Sequence, residues 1–176
     1  MSSQVFVRAA LAADVDAIRD LLAPEVEAGT ILPRVVRPED FLVALLDGEI
    51  VAAVAMTRWT DDVVELGSLV SARPGLGLGR AMVQAVLKKA ALEQFRRVVA
   101  LTAIDGWFTR LGFRAHPTAP WALASDRPVL VTASDDCLDA AVGWKASTVC
   151  AGCARLGRCR QHMVVHAVAS ETRRVA

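Results

Sequence analysis

Hydrophobic and polar positions along the chain form patterns that predict alternating strands and helices. Val5–Ala9 alternates and is rich in β-branched residues, which predicts a strand. Asp14 is expected to cap a helix whose apolar residues recur at helical spacing. An irregular, exposed stretch over Gly29–Pro38 leads into a meander of three strands, with an Asp47-Gly48 turn between the first two. These strands are predicted over Phe41–Leu46, Glu49–Trp59 and Asp62–Val70.

The following part of the chain begins with a glycine-rich loop and a helix with one apolar side. Val98–Thr102 then predicts a buried strand, and Asp105 and Gly112 are expected to begin and end a short helix. The pattern over Ala119–Ser147 fits neither element type. The apolar side of the first helix comprises Met82, Val83, Val86, Leu87, Ala90 and Leu92. The remaining predicted strands are Phe113–Ala115, Val129–Thr132 and Met163–Val168.

Composition narrows the range of partners. The 20 Lys and Arg residues against 19 Asp and Glu residues give a formal charge of +1, which provides no basic surface for nucleic acid or an anionic membrane. No apolar run reaches the roughly 18 residues of a membrane span, and the N-terminus has no secretory pattern. We therefore expect a cytoplasmic protein with a small-molecule partner and no nucleic-acid or membrane partner. The sequence leaves open whether the protein forms a homodimer.

The glycine-rich loop predicts a binding site for an anion. Gly75, Gly77 and Gly79 alternate directly before the helix, where unpaired N–H groups and the helix dipole favour a phosphate. The absence of Cβ atoms lets the backbone approach a pyrophosphate closely. The loop is neither a Rossmann fingerprint nor a P-loop, because it lacks G-x-G-x-x-G and a Lys-Ser/Thr pair. A simple flexible turn is the alternative.

The segments "PGLGLGRAMV" and "WFTRLGF" resemble motifs of the GCN5-related N-acetyltransferases (GNAT family). The resemblance covers Val5 to Ala115 and implies the α/β acyl-CoA N-acyltransferase fold, a mixed, mostly antiparallel sheet flanked by helices. It implies acetyl-CoA as co-substrate, with its pyrophosphate on the loop and its pantetheine arm along the preceding strand. The residues implied to bind acetyl-CoA are Leu69, Val70, Arg73, Gly75, Leu76, Gly77, Leu78, Gly79 and Arg80. Residues 1–116 are expected to form the core, and residues 117–176 an extension of the same domain with a cysteine-bearing loop and a closing strand.

Three further segments resemble the acetyltransferase domains of bacterial N-acetylglutamate synthases: "EAGTILPR", "VVELGSLV" and "LTAIDGWFTRLGF". This resemblance implies an N-acetyltransferase acting on a small carboxylate-bearing amine, glutamate being the first candidate. It assigns Arg34 and Thr102 to the acceptor and makes Glu65 the candidate catalytic base. We predict that Glu65 and Arg34 flank one acceptor pocket. Two simpler interpretations stay open. Glu65 could be an ordinary outward-facing residue of its strand, and Arg34 could be a solvated surface arginine.

The chain departs from the family pattern at three points, one of which is a segment between Ser68 and Gly75 that is shorter than usual. Pro74, which has no N–H, stands where the signature has Gln or Arg, and Arg73 lies one position early. The chain also contains no tyrosine, so the acid that many relatives use is absent and solvent is expected to protonate the thiolate. Trp107 and Phe108 occupy the equivalent region, where core packing is the simpler role. These departures keep a non-catalytic coenzyme A sensor or interaction module as an alternative function, and a xenobiotic amine or protein amino group as an alternative acceptor.

Three cysteines lie close together in the sequence. Cys150, Cys153 and Cys159 follow a C-x₂-C-x₅-C spacing that resembles the tails of short N-acetylglutamate synthase relatives, and we expect them to cluster near the last strand. Cys137, His162 or His166 would be needed as a fourth ligand for tetrahedral zinc. The spacing does not specify that ligand, so we favour free thiols over a metal site.

Overall fold

The computed structural model of the chain describes residues 5–117, 120 and 136–168, and these residues form a mixed sheet of seven strands with flanking helices. The strands are β1 (Val5–Ala9), β2 (Phe41–Leu46), β3 (Glu49–Arg58), β4 (Val63–Ser71), β5 (Arg97–Thr102), β6 (Arg114–His116) and β7 (His162–Ala167). The helices in this part of the chain are α1 (Val15–Glu27), α2 (Leu78–Leu92), α3 (Asp105–Thr109) and α4 (Asp136–Lys145).

The sheet has the strand order β1-β2-β3-β4-β5-β7-β6. The β1/β2, β2/β3, β5/β7 and β6/β7 pairs are antiparallel, whereas β4 and β5 are parallel. The predicted mixed, mostly antiparallel sheet is therefore confirmed. Asp47 and Gly48 join β2 to β3 with φ angles of 51° and 87°, as a two-residue hairpin turn requires.

The described residues fall into two compact units, the first within Met1–Thr57 and Leu66–Lys89 and the second within Arg58–Glu65 and Ala90–Ala176. In the first unit, α1 contributes Ile18 and Leu22 to a buried apolar cluster with residues of β2, β3 and β4. The spacing of these residues places them on one helix face, as the sequence predicts. The assignment of residues 117–176 to the same domain as the core stays a prediction.

In the second unit, α4 packs on the sheet through a helical apolar stripe. Leu138, Ala141 and Val142 are buried in a cluster that includes Val63 on β4 and Val99 on β5. Their i, i+3, i+4 spacing gives one face of the helix. No helix is predicted here from the sequence, because the stripe is short and the flanking residues are polar or small.

The capping role predicted for Asp14 is wrong in its detail. Asp14 does precede α1, but its carboxylate makes no capping hydrogen bond to the helix. It accepts instead from the guanidinium of Arg8, at 2.5 and 3.1 Å, and from the backbone N–H of Leu11 at 2.7 Å. These bonds hold the pKa of the largely buried Asp14 carboxyl below its usual range.

One residue of the predicted apolar side of α2 faces solvent. Leu92 is 76% exposed, whereas Ala90 is fully buried. Leu92 lies four positions after the exposed Lys88 and two after Ala90, so helical geometry turns it outward.

The strand predicted over Val129–Thr132 lies outside the described residues.

Candidate functional site

The glycine-rich loop between β4 and α2 adopts a conformation that requires glycine at two positions. Gly75 and Gly77 have φ angles of 85° and 71°, in the left-handed region that side chains other than glycine rarely adopt. A Cβ atom at either position would meet no heavy atom within 4 Å, so the space beside this backbone is open. Gly79 differs, because it is the second residue of α2.

The loop presents backbone N–H groups at the start of α2. The N–H of Ala81 donates to the carbonyl of Gly77 at 3.1 Å, so the N–H groups of residues 78 to 80 precede this first helical hydrogen bond. Leu78 is buried and anchors the helix, whereas Leu76 and Arg80 are exposed. Arg73 is also exposed, and the Ser71 hydroxyl oxygen accepts its N–H at 3.3 Å.

The last part of β4 continues past its parallel ladder with β5. That ladder joins Val63–Glu65 to Arg97–Val99. Ser68, three residues further along, has a φ of 48°, a strained conformation for a residue other than glycine. Val70 is buried in the core of the first unit, and Leu69 is half-buried.

Glu65 is held in a polar cluster of the second unit. Its Oε2 accepts a hydrogen bond from Nε1 of Trp59 at 2.8 Å and another from Nζ of Lys145 at 2.6 Å. The side chains of Glu65 and Lys145 are only 14% and 12% exposed. The Lys145 ammonium also lies 5.2 Å from the centre of the Trp59 ring, within cation–π range.

The positions of these side chains follow from strand and helix periodicity. Glu65 lies two residues after Val63, so both side chains project from the same face of β4. Because Val63 is fully buried in the cluster with α4, Glu65 is directed to α4 and not to bulk solvent. Lys145 continues the buried stripe of α4, three residues after Val142. Sequence reasoning missed Lys145 and the polar role of Trp59, because the spacing along α4 indicates a buried Lys145 only once α4 is known to pack on β4.

Arg34 is part of a network in the first unit and is not a fully solvated arginine. Its side chain is 25% exposed. One guanidinium nitrogen, Nη2, donates to Oγ1 of Thr57 at 3.2 Å and lies 3.7 Å from Oδ2 of Asp40. The guanidinium also lies 5.3 Å from the centre of the Phe41 ring. These contacts orient the guanidinium, as binding of a carboxylate would require.

Thr102 and the aromatic residues of α3 have structural contacts in the second unit. The hydroxyl oxygen of Thr102 accepts the N–H of Ile104 at 3.0 Å, which shapes the turn before α3. Phe108 is buried and makes edge-to-face contacts with Trp107 and Phe113, at 4.9 and 5.2 Å between ring centres. This packing agrees with the core role predicted for Phe108.

Cys150, Cys153 and Cys159 carry free thiols, and their predicted clustering near the last strand stays a prediction. Burial raises the pKa of Cys150 to about 11, the Lys145 ammonium opposes this shift, and the nearby Cys159 and Cys153 thiols and the Glu65 carboxylate add to it. Among residues 5–117, 120 and 136–168, the structure places no group of three or more His, Cys, Asp or Glu side chains that could hold a metal ion. The zinc alternative therefore gains no support from this part of the chain.

We predict that Cys150 is alkylated slowly in the native protein. A thiol with a pKa of about 11 is almost fully protonated at pH 8, so iodoacetamide should modify it roughly 100-fold more slowly than an ordinary exposed cysteine. The rate should rise about tenfold per pH unit up to about pH 11, because only the thiolate reacts. Peptide mass spectrometry gives the site-resolved rates, with unfolded protein as the control. Native Cys150 reacting at the unfolded rate would contradict the burial.

The sequence matches one known protein family over most of the described core. A model of the acetyltransferase (GNAT) family matches residues 15–113, more than half of the chain. The chain belongs to this acetyltransferase family. The family resemblance and the enzyme class expected from the sequence are confirmed. No curated protein matches the sequence significantly.

Solved structures of other proteins share the fold at low sequence identity. Rv2747 from Mycobacterium tuberculosis, solved with CoA, is 23% identical with a TM-score of 0.71, over 93% of this chain and 99% of that one. N-acetylglutamate synthase from Neisseria gonorrhoeae, solved with CoA and N-acetyl-glutamate, is 21% identical with a TM-score of 0.68, over 96% of this chain. The present chain spans 36% of that enzyme's length. The GNAT protein YhbS from Escherichia coli, solved with CoA, is 20% identical with a TM-score of 0.50, over 65% of this chain and 71% of its own.

The predicted site residues divide between the two compact units. Arg34 and the residues expected to bind acetyl-CoA, from Leu69 to Arg80, belong to the first unit. Glu65 and Thr102 belong to the second. The common acceptor pocket of Glu65 and Arg34 stays a prediction.

Within the described residues, no helix is both long and apolar enough to cross a membrane.

Proposed function

We propose that the chain transfers the acetyl group of acetyl-CoA to the amino group of a small, carboxylate-bearing acceptor, with glutamate as the first candidate. The observation that carries this proposal is the left-handed backbone at Gly75 and Gly77 leading into the N-terminus of α2, in a member of the GNAT family. CoA bound in the similar structures supports the co-substrate. Acetylation of glutamate would assign the chain to arginine biosynthesis in the cytoplasm.

Acetyl-CoA would bind through the backbone. The N–H groups of the loop and the first turn of α2 suit its pyrophosphate, and the open space beside Gly75 and Gly77 leaves room for it. The backbone of Leu69 and Val70, beyond the β4/β5 ladder, would pair with the pantetheine arm. Arg73 supplies a positive charge beside Pro74, which has no N–H to donate.

Glu65 is the candidate base for the acceptor amine. Both of its hydrogen bonds within the described residues end on Oε2, which leaves Oε1 to take a proton from the ammonium, directly or through water. The chain has no tyrosine to act as the acid, so solvent would protonate the departing thiolate. Catalysis would rest mainly on positioning, which can lower a barrier by about 7–11 kcal/mol.

Arg34 is proposed to bind an acceptor carboxylate, with Thr102 as a second acceptor contact. We predict that Arg34→Ala mainly raises KM for the acceptor, by roughly 10-fold or more, because the ion pair forms in the ground state and the transition state alike. Steady-state kinetics measure the effect. Arg37→Ala, which alters an exposed arginine in the same loop, is the control. A fall in kcat without a change in KM would contradict this role.

The test of the proposed function is a thiol-release assay with acetyl-CoA and a panel of amino acids and amines. We expect release above the rate without acceptor for at least one carboxylate-bearing amine, and mass spectrometry should find its N-acetyl product. Pro74 and the absence of tyrosine favour the alternative of a coenzyme A sensor. Binding of CoA without thiol release for any acceptor would support that alternative and overturn the enzymatic proposal.

A further inference from the structure

Glu65, the proposed base, forms a direct and almost buried ion pair with Lys145, which is an unusual environment for a general base. The two partners are 2.6 Å apart. Removing one partner of such a pair leaves an uncompensated charge in a poorly solvated place, which is costly. An acceptor ammonium that bound only to Glu65 would place a second cation beside Lys145. The acceptor therefore has to bring an anion for Lys145 as well as a cation for Glu65.

Trp59 gives each member of the pair a second anchor. Its Nε1 donates to the Glu65 carboxylate, and its ring faces the Lys145 ammonium 5.2 Å from its centre. Trp59 itself is 3% exposed and packed in the core of the second unit. Trp59 thus holds both charged groups in place, and within the described residues both hydrogen bonds of the carboxylate use Oε2, so that Oε1 is left for the acceptor.

A zwitterion can bind beside this ion pair without changing the net charge of the site. Its ammonium would contact Oε1 of Glu65, and its carboxylate would contact the Lys145 ammonium. Because the two protein groups lie 2.6 Å apart, the two groups of the ligand have to be close neighbours as well. In an α-amino acid, a single carbon joins the amino and carboxylate groups, which fits this spacing.

We propose that Lys145 is a specificity-determining residue that binds the α-carboxylate of the acceptor while Glu65 receives its ammonium. This inference rests on the proposed N-acetyltransferase function and narrows its acceptors to α-amino acids with a second, side-chain carboxylate for Arg34, such as glutamate. Lys145 lies outside residues 15–113, the part of the chain that the family model matches. Selection of the acceptor would thus depend on α4, beyond the matched region.

The test compares α-amino acids with the amines that lack only the α-carboxylate, such as L-glutamate with 4-aminobutyrate and L-aspartate with 3-aminopropanoate. For the best pair in the wild-type protein, kcat/KM should favour the amino acid by on the order of 10²-fold or more, because the amine brings a second cation beside Lys145 and no α-carboxylate to offset it. Lys145→Met should lower this preference at least 10-fold, mainly through a higher KM for the amino acid. Lys145→Arg should retain most of it.

The preference is a ratio measured within one protein sample, so a smaller folded fraction does not alter it. Lys88→Met removes an exposed lysine on α2 and should leave the ratio unchanged. If Lys145→Met keeps the wild-type ratio, or if simple amines are the better wild-type acceptors, the role of Lys145 is wrong while the acetyltransferase function stands. If wild type releases no thiol with any compound, the proposed function itself fails, and this inference with it.

Discussion

Glu65→Gln is expected to lower kcat by roughly 10² to 10⁴ near neutral pH, the usual contribution of a positioned general base. Glutamine keeps nearly the same shape and its side-chain oxygen can still accept the hydrogen bond from Trp59. It cannot take a proton from the acceptor ammonium. The loss should shrink as pH rises, because a growing fraction of the acceptor amine is already neutral. Thiol release as a function of pH, at saturating acetyl-CoA, measures both effects.

Stability has to be separated from chemistry in this variant. Glu65→Gln also removes the anion beside the nearly buried Lys145, so a lower melting temperature is expected, and rates should be compared well below it. Glu49→Gln changes an exposed carboxylate on β3 and should alter neither rate nor stability measurably. Wild-type turnover by Glu65→Gln across the neutral range would show that Glu65 is not the base.

Much of the fold could be predicted because its signals are local. Strands β2 and β3 show as apolar runs around an Asp-Gly turn, and α2 shows as a helical stripe behind a glycine-rich loop. The left-handed φ at Ser68 could not be predicted, because serine carries no sequence signal for that conformation. It lies in the strand beside the proposed pantetheine-binding backbone, where strain of this kind is often found.

The partners of Glu65 could not be predicted for a different reason. The hydrogen bond from Lys145 joins residues 80 positions apart, and nothing near Glu65 in the sequence indicates it. Lys145 also comes from a segment whose pattern fits no element, since Gly143 and Trp144 interrupt the short apolar stripe of α4. The alternation of side chains along β4 is consistent with either a buried or a solvated Glu65. Only the packing of α4 on β4 decides between the two.

Gly77→Val is expected to weaken binding of CoA by on the order of 10²- to 10⁴-fold. The open space beside Gly77 would receive the valine side chain, which would exclude the pyrophosphate from the backbone N–H groups at the start of α2. Losing two charge-assisted hydrogen bonds costs about 3–6 kcal/mol, which corresponds to that range of affinity. Isothermal titration with CoA measures it directly. The same titration should show a smaller loss for Gly77→Ala, whose methyl group fills less of the space.

Backbone strain at Gly77 needs its own control, because a φ of 71° disfavours any side chain. The control is Gly48→Val. Gly48 lies in the β2/β3 turn of the same unit and has a φ of 87°. A Cβ atom added there would also meet no heavy atom within 4 Å. Both valine variants should therefore lose similar stability, whereas only Gly77→Val should lose CoA. Equal CoA affinity in the two variants would mean that the loop after β4 does not bind the pyrophosphate, and the proposed co-substrate site would have to be abandoned.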